Sequence, residues 1–159
     1  MKKKLQYIKG DLFTHNFHNK TIIPHVCNNI GAWGSGFVIP LGKHFPRSKE
    51  RYLAWYKQGW EGVSGPFGLG KMQRVIVDDK KGIYVANMIA QTMGGKRPLN
   101  YVSLVECMDK VAVFATKWRL NIVCPKFGSD RAGGDWNFIE QLIEDCWLYR
   151  DINVTVYYM

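Results

Sequence analysis

Ile23-Pro24-His25-Val26-Cys27-Asn28, followed after two residues by Gly31-Ala32-Trp33-Gly34-Ser35-Gly36, is the stretch on which the fold turns. The apolar run Thr21 to Val26 is too short for a helix and reads as a core strand. The glycine-rich stretch behind it leads into Phe37 to Phe45, apolar enough for a helix if Pro40 sits in its first turn. Strand, glycine loop and helix in that order form the unit of a parallel α/β sheet. The unit recurs downstream: Ile122 to Pro125 reads as a strand, Phe127 to Gly134 as a glycine-bearing loop, and Asp135 as the cap of a helix running to about Leu148.

The remaining segments fit between and around these two units. Leu5 to Ile8 alternates before Gly10-Asp11 and reads as a strand. Ser48 to Lys57 supplies a helix with Tyr52, Trp55 and Tyr56 on its buried face, and Gly59 to Gly70 is a loop. Met72 to Val77 and Gly82 to Ala90 flank the polar turn Asp78 to Lys81, the pattern of a hairpin or of neighbouring strands. Leu99 to Trp118 is the long helix, with Val102, Val105, Val111, Ala112 and Ala115 near helical spacing, and Asn153 to Tyr157 is the last strand. Strands alternating with helices imply a three-layer α/β/α sandwich with a mixed, largely parallel sheet, and the length of 159 residues suits one domain over 1–159.

Composition narrows the functional classes. Hydrophobic residues are 47% and charged residues 22%, ordinary for a globular chain. No stretch approaches the roughly 18 apolar residues of a membrane span, and Met1 to Lys4 is followed by no apolar signal core, so a cytoplasmic protein is expected. Cys27, Cys107, Cys124 and Cys146 are scattered and read as reduced residues, with Cys27 placed to line a pocket. The net charge of +9 favours anionic partners. Because the basic residues are dispersed, a small anionic metabolite is expected, with no extended nucleic-acid binding, no membrane and a monomeric state.

In open α/β sheets ligands gather at the carboxyl ends of strands, where the following loop and helix start offer unpaired N–H groups. Both glycine loops occupy such a place. Neither ends in Gly-Lys-Ser/Thr and neither has dinucleotide-fingerprint spacing, which argues against ATPase and dehydrogenase chemistry. The plain alternative is that the glycines only turn the chain.

Tyr7-Ile8-Lys9-Gly10-Asp11-Leu12, Ile23 to Asn28 with Gly31 to Phe37, Val85-Ala86-Asn87-Met88-Ile89-Ala90-Gln91, and Pro125 to Gly128 through Ala132 to Trp136 together resemble the macro domain family, in particular its branch of ADP-ribose-1″-phosphate phosphatases. The resemblance spans nearly the whole chain. It implies that Asp11 accepts from the adenine amino group, with Gly10 and Leu12 shaping that end. It implies that Asn28 and Trp33, Gly34, Ser35, Gly36, Phe37 and Val38 surround the distal ribose, and that Val26, Cys27 and Gln91 also belong to the ligand-binding set. It also implies that Pro125, Lys126, Phe127, Gly128, Ser129, Asp130 and Arg131 wrap the diphosphate. One departure is Asp130-Arg131, where relatives carry an uncharged pair. An Asp130–Arg131 surface pair is favoured there, and a phosphate clamp by Arg131 stays open.

The resemblance implies His25 as a catalytic group, against the alternative of a hydrogen-bonded core histidine. Asp135 is the second catalytic candidate, and an N-cap role suits it equally. His15 and His18 lack a third ligand, so no metal is expected, and no cofactor is implied. The implied activity is hydrolysis of the phosphate of ADP-ribose-1″-phosphate. Two alternatives remain: an ADP-ribosyl glycohydrolase and a non-catalytic ADP-ribose-binding module. One glycohydrolase mechanism uses a lysine and an aspartate, where this chain has Gln91 and Ala132.

Overall fold

In the computed structural model, which describes residues 5–17 and 20–159, the expected alternation of strands and helices is present. In chain order the elements are β1 (Leu5–Lys9), β2 (Thr21–Asn28), α1 (Val38–His44), α2 (Pro46–Gln58), β3 (Trp60–Glu61), β4 (Gly65–Pro66), β5 (Met72–Asp78), β6 (Ile83–Gln91), α3 (Tyr101–Trp118), β7 (Asn121–Pro125), α4 (Trp136–Cys146) and β8 (Val154–Tyr158). The six-stranded sheet has the order β1-β8-β7-β2-β6-β5. All its pairs are parallel except β5 with β6, which form the hairpin read from the polar turn.

β2 is a nearly unbroken apolar run because both of its faces are covered. Ile23 and Cys27 point into one core with Leu41 of α1 and Tyr52 and Trp55 of α2. Ile22 points into the other, with Leu104, Met108 and Val111 of α3 and Ile139 and Ile143 of α4. This makes the three-layer α/β/α sandwich, with α1 and α2 on one face and α3 and α4 on the other.

Local chemistry sets the helix ends. The Asn100 side chain accepts from the N–H of Ser103 at 2.9 Å to start α3, and Arg119 in a left-handed conformation ends it. The buried stripe of α3 is Leu104, Cys107, Met108, Val111, Ala112 and Ala115. Val102 and Val105, expected to join that stripe, are turned outward, Val102 being 72% exposed. Two residues along a helix is a rotation of about 200°, so Val102 opposes Leu104. Tyr56 likewise leaves the buried face of α2, at 44% exposed, while Tyr52 and Trp55 are buried. The Gly59 to Gly70 segment, read as loop, contains the short antiparallel pair β3–β4, braced by the Trp55 Nε1 donor 2.9 Å from the Gly65 oxygen.

The sheet divides where the site lies. β2 and β7 pair only over Thr21–Ile22 with Asn121–Ile122. Beyond those residues the ladder between them stops, and the chain leaves β2 toward α1 on one face and β7 toward α4 on the other. Such divergence opens a crevice at the strands' carboxyl ends. Lys2 to Lys4 and His18 lie outside the described residues.

Candidate functional site

The crevice is an open cleft of about 690 Å³ between the two glycine loops. That volume falls within the range of small-molecule sites. The first loop is shaped by Asn28. Its Oδ1 accepts from the N–H groups of Ile30 (3.1 Å) and Ala32 (3.0 Å), and its Nδ2 donates to the Ala32 carbonyl at 2.8 Å. The Tyr52 hydroxyl reaches the same residue, 2.7 Å from its carbonyl oxygen and 2.9 Å from Oδ1. Gly31 crosses the Tyr56 ring at φ +73°, where a Cβ would lie 2.4 Å from a ring carbon, so only glycine fits.

The second loop closes on itself through the N–H of Gly134 to the Gly128 carbonyl at 2.8 Å and the Ser129 hydroxyl to the Lys126 carbonyl at 2.8 Å. Gly133 has φ +74°, and a Cβ there would meet the Lys96 carbonyl oxygen at 2.7 Å. Among the described residues, the N–H groups of Gly34 to Phe37 and of Gly128, Asp130 and Arg131 donate to no protein acceptor. Two rows of unspent main-chain donors therefore border the cleft, the arrangement that holds phosphate oxygens.

His25 lies on the wall of the cleft and is 2% exposed. Its ring packs edge-on to Trp33 and beside Phe37, with centroids at 5.5 and 5.9 Å. Nε2 lies 2.5 Å from Asn87 Oδ1. Burial pushes the imidazole down to about 4, against a partly compensating bond to Asn87, so the ring is neutral at pH 7. The neighbouring Cys27 thiol is pushed well above its ordinary value by burial, so it is no thiolate nucleophile.

Most of the expected site residues come together here. Val26, Cys27, Asn28, Gly34 to Val38, Gln91 and Pro125 to Arg131 all line the cleft with His25. Trp33 does not. It is 8% exposed, and its indole packs against Gly42 and Tyr52 in the core. Gly10, Asp11 and Leu12 also lie off the lining: Leu12 is buried in the core, and Asp11 caps a short 3-10 turn through the N–H of Phe13 at 2.9 Å. Gly10 N–H donates to the Tyr158 carbonyl at 2.8 Å, which puts this turn beside the cleft's rim.

Asp135 is not in the cleft wall either. It is exposed and accepts from the N–H of Asn137 at 2.9 Å, so the structure gives it the capping role on α4. Among the described residues no ion pair joins Asp130 to Arg131. The Arg131 side chain instead extends to the first loop, its Cδ 3.9 Å from where a Cβ of Gly36 would sit. Of the two histidines weighed for metal, His18 is outside the described residues and His15 Nδ1 is 2.7 Å from the Tyr157 hydroxyl. The sequence reading missed Met93 and the rim formed by Tyr157, Tyr158 and Met159. The parallel pairing of β8 beside β7 puts their carboxyl ends together, and the only local sign was two adjacent tyrosines closing an apolar strand.

No family model matches the chain. A macrodomain protein from Streptomyces coelicolor is 34% identical, with a TM-score of 0.83 over 98% of this chain and 99% of that one. A Bacteroides thetaiotaomicron protein of unknown function superposes with a TM-score of 0.89 at 36% identity, over 99% of both chains. The ADP-ribose 1″-phosphate phosphatase of Meyerozyma guilliermondii is 33% identical over 113 residues, which are 67% of this chain and 65% of that protein. The match thus spans just under two thirds of that curated relative.

Proposed function

The chain belongs to the macrodomain family, and we propose that it binds ADP-ribose in the cleft and hydrolyses the phosphate monoester of ADP-ribose-1″-phosphate. The observation that carries this reading is His25 on the wall of a cleft bordered by two rows of unspent N–H donors. The donors of the second loop suit the diphosphate. Arg131, reaching from that loop to Gly36, supplies a charge for a terminal phosphate near the distal ribose. The rim of Tyr157 and Tyr158 offers aromatic surface at the other end, next to the Asp11 turn.

In the proposed reaction a water oxygen forms a bond to phosphorus while the bond from phosphorus to the ribose 1″ oxygen breaks. The water gives up a proton, the ribose oxygen takes one, and inorganic phosphate and ADP-ribose leave. A neutral His25 can accept the water's proton, whereas an imidazolium to act as acid is scarce at pH 7. Main-chain N–H groups and Arg131 stabilise the charge on the transferring phosphoryl group.

The reading treats residues 1–159 as one cytoplasmic, monomeric domain with no extended nucleic-acid partner. Four free cysteines support a reducing compartment. Incubation with ADP-ribose-1″-phosphate and, separately, with mono-ADP-ribosylated protein and DNA tests the proposal. Phosphate is released from the first and no ADP-ribose from the others. Release of ADP-ribose from a macromolecule makes the protein a glycohydrolase, and tight binding without turnover makes it a binding module.

A further inference from the structure

Behind His25 a chain of hydrogen bonds crosses the core to the surface. Its directions can be worked inward from the end that leaves no choice. The Glu61 carboxylate and the Arg51 carbonyl can only accept, so the Gln73 group 2.9 and 3.0 Å from them must be its amide nitrogen. Gln73 Oε1 then faces Asn87 at 2.9 Å, and the Ser48 carbonyl lies 3.1 Å from the same Asn87 atom. Both of these are acceptors, so Asn87 presents its nitrogen to them and its Oδ1 to His25. An amide oxygen at 2.5 Å from Nε2 requires the proton on Nε2. The lone pair therefore sits on Nδ1, which lies 4.0 Å from the Cys27 sulfur.

We infer that Asn87 and Gln73 are positioning residues that hold His25 as its Nε2–H tautomer, leaving Nδ1 as the group that accepts the proton of the attacking water. The second half of that statement rests on the proposed hydrolase reading; the first half does not. Gln73 and Asn87 are fully buried, and filling the same space with apolar side chains would have avoided the cost of desolvating two carboxamides. Every member of the chain is satisfied, the condition under which a buried polar network fixes one arrangement. Its far end is anchored by Arg51, 2.6 Å from the Glu61 carboxylate. The groups packed on the imidazole are Cys27 of β2, the neutral Asn87 of β6, and Trp33 and Phe37 of the first loop, with Tyr52 of α2 behind Trp33. None carries a charge at pH 7 that competes with the chain.

The test uses the full chain labelled with 15N, and reads the histidine ring nitrogens by long-range 1H–15N correlation at neutral pH. His25 shows an N–H type Nε2 and an acceptor type Nδ1. A proton on Nδ1 in the wild-type protein overturns the inference, whatever the enzyme does. Asn87→Asp places a carboxylate on Nε2–H, and the His25 midpoint rises by roughly 1 to 3 pH units from about 4. The acid limb of kcat/KM for phosphate release moves with it. Gln73→Leu removes one of the two acceptors that orient the Asn87 amide and leaves the Ser48 carbonyl at 3.1 Å as the other, so a minor population with the proton on Nδ1 joins the Nε2–H tautomer. A merely structural role would lower the melting temperature of both variants while leaving tautomer and midpoint in place, and that result also overturns the inference. Should Asn87→Asp not fold, the wild-type tautomer and Gln73→Leu decide. The predicted tautomer in a protein that releases no phosphate would keep the positioning device and sink the hydrolase reading instead.

Discussion

Acidification should destabilise this protein through His25. The imidazole titrates near 6.5 in an unfolded chain and at about 4 in the folded one, because burial disfavours its charged form. Below its unfolded value the unfolded state binds a proton that the folded state refuses, so stability is complete above about pH 6.5 and falls as pH drops toward 4. The gap between the two values corresponds to about 3 kcal/mol, a large part of a typical domain's 5 to 15. Urea unfolding across that pH range, on wild type and on His25→Gln, isolates the effect. Glutamine is uncharged at every pH and keeps a donor for Asn87, so protonation of Glu61 and the other carboxylates affects both proteins alike. The wild type loses about 3 kcal/mol more than the variant between neutral pH and about pH 4. Parallel curves would refute the burial account of His25.

Three other outcomes are expected. Gly133→Ala forces a Cβ onto the Lys96 carbonyl at a left-handed φ, costing about 2 to 4 kcal/mol in urea unfolding; a loss under about 0.5 would show that the second loop relaxes freely. Arg131→Gln weakens binding of ADP-ribose-1″-phosphate about tenfold in calorimetry and leaves ADP-ribose affinity nearly unchanged, whereas equal loss for both ligands places Arg131 on the diphosphate. Asp11→Ala removes the cap on the Phe13 N–H and costs about 1 kcal/mol of stability, while Asp11→Asn keeps the cap and weakens ADP-ribose binding about tenfold. Unchanged affinity in Asp11→Asn leaves Asp11 as a turn residue only.

What could be read from the sequence was local. Apolar periodicity and glycine placement located the strands and helices, with ends shifted by a residue or two where capping decided them, as at Asn100. The two loops were visible because their glycines cluster in sequence, and all of Gly34 to Val38 and Pro125 to Arg131 reach the cleft. Where a side chain goes was much less legible. Trp33 sits among lining residues yet turns into the core, and Val102 has apolar spacing yet faces outward.

By itself, then, the sequence determined the alternation of elements and the two loops, because each depends on the conformational preferences of neighbouring residues, while the candidacy of His25 came from the motif it sits in. Only the tertiary structure decided the strand order, and with it the parting of β2 from β7 that opens the cleft. It alone brought the tyrosine rim of β8 to the site and sent Arg131 across to Gly36. The same holds for the tautomer of His25, which depends on an amide 62 residues away, itself oriented by Ser48, Gln73 and, through them, Glu61. Such contacts follow from which strands pair and which faces are buried, and no local preference encodes them.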